Sequence, residues 1–151
     1  MPITAFDIEI IIRIALALIL GGILGFERER HGISAGIRTY GAISLGACVF
    51  GVLSITIGGP TADPSRIAAQ VATGIGFLCG GVIFREGNHV NGLTTAATLW
   101  ATSAVGLAVS FGMYTVSVMT TLLIYLLLYL SRVRWWKKLF RKVKSTPDNR
   151  A

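Results

Sequence analysis

The chain has 151 residues, of which 53% are hydrophobic and only 14% charged, and its mean hydropathy is +0.68. This composition is too apolar for an ordinary soluble domain of this size and indicates one membrane domain. The net charge of +7 does not indicate a nucleic-acid partner, because eight of the fourteen Lys and Arg residues lie between Arg132 and Arg150, outside every apolar segment.

Five apolar runs are long enough to cross a hydrocarbon core about 30 Å thick, which takes about 20 residues of helix. The predicted fold is an all-α transmembrane helical bundle with spans at about 8–26, 39–57, 67–84, 93–109 and 113–130. Residues 1–131 form the predicted transmembrane domain, and 132–151 form a basic tail. We do not expect the first run to be a signal peptide, because Asp7 and Glu9 stand where positive charge is required.

The distribution of positive charge predicts the orientation, because Lys and Arg resist translocation. One set of span ends carries most of the cations, namely Arg28, Arg30, Arg38, Arg85 and the C-terminal cluster. The other set carries only Arg66, with Arg13 inside the first span and placed to pair with Glu9 four residues earlier. The richer side is predicted to be cytoplasmic, with the N-terminus outside and the C-terminus inside.

A cluster of both signs follows the first span and continues in the connection after the third. Its members are Glu27, Arg28, Glu29, Arg38, Arg85 and Glu86. Two hypotheses remain open: the cluster anchors helix ends, or it is a functional site, because polar groups at the membrane boundary must be paired, hydrated or placed in a cavity. A faint internal repeat would bring Arg28–Glu29 and Arg85–Glu86 together at the cytoplasmic end.

Small and polar residues mark the predicted helix contacts. Gly21 and Gly25 in the first span, and Gly76 and Gly80 in the third, recur at every fourth position, which lets helix backbones approach closely in lipid. Small-residue faces that contact no other helix of the same chain would let two copies pack together, so a homodimer is also predicted as a partner. The fourth span carries a hydroxyl stripe that can bond to a neighbouring helix or to its own carbonyls. The polar residues assigned to helix starts and packing are Asp63, Arg66, Asn91, Thr94, Thr95 and Thr98.

The start of the third span contains Asp63 followed by Pro64. Asp is a good N-cap and Pro suits the first helical position, so we predict that Asp63 caps this helix. The fifth span has no Gly or Ala between Leu122 and Leu130, and we place it on the lipid-facing rim.

The basic tail is predicted to be an amphipathic helix that anchors to anionic lipid. The anchor residues are Trp135, Trp136, Lys137, Lys138 and Arg141. The alternative is that this tail binds an acidic protein partner.

No catalytic motif is present, and we do not expect an enzyme. No cofactor is predicted. Mg²⁺ is the one ion considered, because it prefers oxygen ligands and one or two carboxylates can suffice. Glu27, Glu29 and Glu86 are its candidate ligands, although the Arg beside each of them competes for the carboxylate.

Five segments in order resemble the MgtC/SapB family of bacterial inner-membrane proteins. They are Gly25–Glu29, Ala35–Thr39, Asp63–Arg66, Gly74–Leu78 and Gly92–Trp100. The resemblance implies a multi-pass protein of the bacterial cytoplasmic membrane, linked to growth in low magnesium, survival inside host cells and restraint of ATP synthase. Many members continue into a soluble C-terminal domain, whereas this sequence stops after a basic tail, so the resemblance does not extend to roles that depend on that domain. Cys79-Gly80-Gly81 also replaces the more usual Gly-Ala-Gly.

The sequence therefore leaves two functional hypotheses. The first is a non-enzymatic regulator of another membrane protein, with ATP synthase as one candidate partner, acting in low magnesium or acid stress. The second is a transporter or channel for Mg²⁺ or another ion.

Overall fold

The structure is a computed structural model that describes residues 4–57, 63 and 65–130. This part contains five helices: α1 (Ala5–Glu29), α2 (Ile37–Thr56), α3 (Arg66–Val82), α4 (Leu93–Ser110) and α5 (Tyr114–Leu130). A helix lies at each of the five predicted spans. α1, α2 and α4 are long and apolar enough to cross a membrane, whereas α3 and α5 have 17 residues each, about 25 Å of helix. These lengths and compositions indicate a membrane protein, and the number of crossings stays a prediction.

α4 lies at the centre of the bundle and contacts the other four helices. α1 and α2 pack against it and against each other, α3 packs against α2 and α4, and α5 packs against α1 and α4. Buried apolar side chains fill the α1–α2–α4 interface, including Leu24, Cys48, Leu99 and Val105. Large apolar side chains cover the outer faces, and Phe77 is 84% exposed. Such exposure suits helices whose surroundings are lipid.

Glycines allow the backbones of α1 and α2 to touch. A Cβ at Gly21 would lie 2.6 Å from the carbonyl oxygen of Tyr40, and one at Gly25 would lie 2.6 Å from Cα of Ile37. The structure thus places both predicted packing glycines at a close approach between helices. Such contacts gain dispersion energy that a side chain would prevent.

Gly76 and Gly80 do not pack within the described chain, and the prediction is corrected for these two positions. Both are exposed, with no atom within 4 Å of the point where a Cβ would stand. The buried residues are instead Ile75 and Cys79, one position earlier. One residue is about 100° of helix rotation, so the glycine ridge lies to the side of the α3 contact.

A β-hairpin joins α3 to α4, so the all-α prediction is wrong for this connection. β1 (Phe84–Glu86) pairs antiparallel with β2 (His89–Asn91), and Phe84, predicted to end the third span, lies opposite Asn91. The turn between the strands is Gly87-Asn88, and Gly87 has a φ of 59°. Glycine at the first central position is typical of two-residue hairpin turns. This Gly-Asn pair is the signal in the sequence that could have indicated the hairpin.

The first turn of α3 is capped from α2 rather than by Asp63. The hydroxyl of Ser54 accepts hydrogen bonds from the N–H groups of Ile67 and Ala68, at 3.2 and 3.4 Å. Asp63 lies before the helix start, where it accepts from the hydroxyl and the N–H of Ser65. These bonds hold the pKa of the Asp63 carboxyl below its usual value, so they persist until the pH falls through that lowered pKa. Pro64 lies outside the described residues.

Replacing Ser54 by alanine is expected to lower the free energy of unfolding by about 1 kcal/mol, because two N–H groups at the start of α3 lose their acceptor. Denaturant titration of the detergent-solubilised chain measures the change. Ser65→Ala is the control, since Ser65 occupies the N-cap position, makes no capping bond through its side chain and loses only an exposed bond to Asp63. An equal loss in both variants would contradict capping by Ser54.

Candidate functional site

Two consecutive charged residues at the end of α1 are buried. Glu27 is 4% exposed and Arg28 is 6% exposed, and no other Asp, Glu, Lys or Arg in the described residues is buried to this extent. Burying a charge is costly unless it is paired and hydrogen-bonded. This end of α1 is therefore the place where the fold must provide specific polar partners.

The partners of Arg28 come from α2 and α4. Its guanidinium Nη2 donates to the Thr95 hydroxyl at 2.9 Å, and the guanidinium also lies close enough to the Tyr40 phenol to interact with it. The phenol is 2.5 Å from the Thr98 hydroxyl, which itself donates to the carbonyl of Thr94 at 2.9 Å. The phenol must then donate to Thr98, which leaves its oxygen free to accept from Arg28. We call Glu27, Arg28, Tyr40, Thr95 and Thr98 the Arg28 site.

Glu27 faces a histidine on the exposed side of the Arg28 site. Nδ1 of His31 lies 3.5 Å from Oε1 of Glu27 and 2.7 Å from the Glu27 backbone carbonyl oxygen. The side chain of His31 is 41% exposed. Because a carbonyl oxygen only accepts, Nδ1 of His31 carries the hydrogen and donates it to the Glu27 backbone, which holds the ring beside the Glu27 carboxylate.

Glu29 was predicted to belong to the charge cluster, but its carboxylate binds the start of α2 instead. Its Oε2 accepts from the N–H of Ile37, the first residue of α2, at 2.9 Å. A carboxylate is favoured at a helix N-terminus, where N–H groups lack partners and the dipole is positive. Glu29 therefore caps α2 from the end of α1, across the intervening loop.

The structure divides the predicted six-residue cluster. Arg38 is exposed at the start of α2, and Arg85 and Glu86 are exposed on β1. Nε of Arg85 donates to the carbonyl of Gly87 within the hairpin, at 2.9 Å. In the described residues no salt bridge joins Arg85 or Glu86 to Arg28 or Glu29, so the predicted meeting of the two dipeptides is not found as an ion-pair network. The two connections also differ in build, since only the second contains strands.

The remaining predicted residues lie in several places. Thr94 is exposed in the first turn of α4, and Asn91 is partly buried in β2. Asp63 and Arg66 are exposed at the start of α3, at the opposite end of the bundle from the Arg28 site. The predicted lipid-anchor residues Trp135, Trp136, Lys137, Lys138 and Arg141 lie outside the described residues.

The three candidate magnesium ligands do not converge. Glu27 is buried in the Arg28 site, Glu29 caps α2 and Glu86 is exposed on the hairpin. Within residues 4–57, 63 and 65–130, no group of three or more His, Cys, Asp or Glu side chains could hold a metal ion. In the part of the chain that the structure describes, the three predicted carboxylates therefore do not form a shared magnesium site.

At the opposite end of the bundle, Arg13 joins α1 to α4. Its guanidinium pairs with Glu9, as the spacing predicts, and also donates to the carbonyl of Ser110 at the end of α4. A cation is favoured at a helix C-terminus, where carbonyl groups lack partners. The bond from Arg13 to Ser110 therefore fastens α1 to α4, which the spacing on α1 could not reveal.

Tyr40 is a residue of the site that was not predicted from the sequence. A tyrosine within an apolar run is the available signal, because a buried phenol needs a hydrogen-bond partner. Replacing Tyr40 by phenylalanine is expected to lower the free energy of unfolding by about 1–2 kcal/mol, because the bond to Thr98 and the acceptor near Arg28 are both lost. Denaturant titration measures the change. Tyr125→Phe, on the exposed side of α5, is the control and should stay within about 0.5 kcal/mol of the unmodified chain.

Comparisons with known proteins agree on one family. A model described as the MgtC family matches residues 14–134. Protein MgtC of Brucella abortus is 44% identical over 111 residues, which cover 74% of this chain and 46% of that protein. Protein MgtC of Salmonella typhimurium is 41% identical over 114 residues, which cover 76% and 48%. A putative magnesium transporter of Escherichia coli, YhiD, is 42% identical over 127 residues, which cover 77% and 59%.

The chain therefore spans about half the length of the curated relatives that it matches. No solved structure matches the chain.

Proposed function

Because this chain belongs to the MgtC family, we propose that it is a non-enzymatic regulator of another membrane protein, acting under low magnesium or acid stress. The ATP synthase is the candidate partner that the family resemblance suggests. The surface that we assign to the partner consists of Arg38, Arg85 and Glu86, the exposed charged residues near the start of α2 and on the hairpin. The Arg28 site holds α1, α2 and α4 together beneath it.

The observation that carries this proposal is that the buried hydroxyl groups of α4 bond to α4 itself. Thr98, Thr102 and Ser110 on α4 each donate to a carbonyl of the same helix, at 2.6–2.9 Å. Arg28 is engaged by Thr95 and Tyr40. A permeation path needs polar groups that face a hydrated cavity. Hydroxyl groups that already donate to carbonyls of their own helix do not line a hydrated path, and this supports a regulator better than a pore.

The alternative is a transporter or channel for Mg²⁺ or another ion, and the name of the Escherichia coli relative favours it. Chains from an oligomer could also form a path that a single copy does not contain. Flux and partner binding therefore need to be measured side by side on the same variants.

The test uses the full chain in two arms. In the first, vesicles that contain the chain and a magnesium-sensitive dye report Mg²⁺ entry. In the second, the tagged chain is purified from membranes and the co-purified ATP synthase is quantified. Arg38→Gln and Glu86→Gln remove charge from the proposed partner surface, and Arg30→Gln is the matched control, because Arg30 is an exposed arginine at the same end of the bundle that does not belong to this surface.

We expect no flux above that of empty vesicles, and a loss of co-purified partner in Arg38→Gln and Glu86→Gln but not in Arg30→Gln. Flux that disappears on Glu27→Gln, Arg38→Gln or Glu86→Gln would overturn the proposal in favour of transport. Equal recovery of the partner with all variants would remove the proposed surface.

A further inference from the structure

An apolar groove lies between α2 and α3, with α4 as its floor. Its cavity volume is about 530 Å³, and its walls include Ile43 and Phe50 of α2 and Val71 and Leu78 of α3. Ser103 of α4 contributes to the floor. No residue of α5 is among its lining residues, because α5 packs against α1 and α4 instead.

The groove exists because two facing positions lack side chains. Gly46 of α2 and Gly74 of α3 both line it, and no atom lies within 4 Å of where a Cβ would stand at either glycine. Helices that pack directly would close such a space, because an unfilled apolar gap forfeits dispersion energy. In a bilayer the molecule available to fill it is lipid.

The geometry points to a binding site for one acyl chain of an anionic phospholipid, with the phosphate at Arg66. The volume suits this occupant, because about 530 Å³ lies within the range of about 300–1,000 Å³ that is usual for small-ligand pockets. The lining of α3 runs from Ile67 to Leu78, about 16 Å along the helix. That is about half of a hydrocarbon core about 30 Å thick, or the depth of one leaflet.

The polar groups at one end of the groove suit the head of the same lipid. Arg66 precedes the first lining residue of α3, and its exposed guanidinium makes no salt bridge or hydrogen bond in the described part of the chain. Asp63 is the acidic neighbour that interacts with it electrostatically. An arginine binds a phosphate through two parallel N–H donors, which a neutral head group without phosphate could not match.

Gln70 supplies a second polar contact. It lines the groove one turn beyond Arg66, about 6 Å deeper along the helix, where the ester groups of a phospholipid would lie. Its amide has no hydrogen-bond partner in the described residues, so it can donate to an ester carbonyl. A mainly apolar pocket with a few placed polar groups is the usual form of a specific ligand site.

The experiment measures lipid retention by native mass spectrometry of the full chain in detergent. The probes are palmitoyl-oleoyl phosphatidylglycerol and the diacylglycerol with the same acyl chains, which lacks the phosphate, each added at the same concentration. Gly74→Leu places a side chain in the groove, and Gly80→Leu is the matched control. Gly80 is also an exposed glycine of α3 with no atom within 4 Å of its Cβ position, but it does not line the groove. Arg66→Gln tests the phosphate contact.

We expect Gly74→Leu to lose bound lipid about tenfold, and Gly80→Leu to retain it. Arg66→Gln should lose the preference for phosphatidylglycerol by about tenfold, the equivalent of about 1.4 kcal/mol. Equal retention by the Gly74→Leu and Gly80→Leu chains would overturn the acyl-chain site, and an unchanged preference in Arg66→Gln would overturn the phosphate contact. A Gly74→Leu chain that keeps its lipid but changes from dimer to monomer would assign the groove to a second copy instead.

Discussion

Replacing Arg28 by methionine is expected to lower the free energy of unfolding by about 3 kcal/mol. Methionine keeps most of the side-chain volume but removes the guanidinium, and with it the charge-assisted hydrogen bond to Thr95 and the interaction with Tyr40. Denaturant titration of the full chain in detergent, followed by circular dichroism, measures the loss.

The control for this prediction is Arg30→Met. Arg30 carries the same charge two residues further along but is exposed, so its replacement should change the free energy of unfolding by no more than about 0.5 kcal/mol. If the two methionine variants were equally stable, the buried arginine would contribute no more than a surface charge, and the Arg28 site would lose its structural role.

Replacing Gly21 by leucine is expected to cost about 3 kcal/mol, at the upper end for overpacking. The added Cβ would stand 2.6 Å from both the carbonyl oxygen of Tyr40 and Cβ of Ser44. The first of these atoms belongs to the backbone of α2, so relief requires the two helices to separate. Separation would also draw Tyr40 away from Thr98 and disturb the Arg28 site.

Gly22→Leu is the matched control, because the nearest atom to its Cβ position is Cγ2 of Ile37 at 4.0 Å. Both variants gain the same intrinsic helix propensity, so the difference between their denaturation midpoints isolates the close approach. A Gly22→Leu chain as unstable as Gly21→Leu would show that α1 rejects any large residue at this depth, and the contact with α2 would not be the cause.

The positions of the helices were predictable because apolar run length and helix rise are local properties. Each predicted span coincides with a helix, with ends that differ by no more than about three residues. The hairpin was missed because its strands have three residues each, too few for an alternation pattern to stand out, although Gly87-Asn88 is a recognisable turn.

The site was predictable only in part. Glu27 and Arg28 were singled out because charges beside a membrane span are costly, and the structure places both in the core. Glu29, close in sequence to Glu27 and identical in type, instead binds the N–H of Ile37. Successive residues on a helix point about 100° apart, so neighbours in one charge run face different surroundings.

What the sequence determined by itself is the number and place of the apolar helices, the acidic and basic residues at their ends, and the family. Hydrophobicity, charge and motif spacing are read along the chain and need no knowledge of neighbours. Only the tertiary structure decided which charges are buried and which glycines are contacts. The rotation of α3 about its axis places Ile75, and not Gly76, at the contact with the neighbouring helices. The packing of α2 and α4 against α1 places Tyr40 and Thr95 beside Arg28. Those choices depend on atoms far apart in the sequence, because burial and hydrogen bonding belong to the packed bundle and not to any one segment.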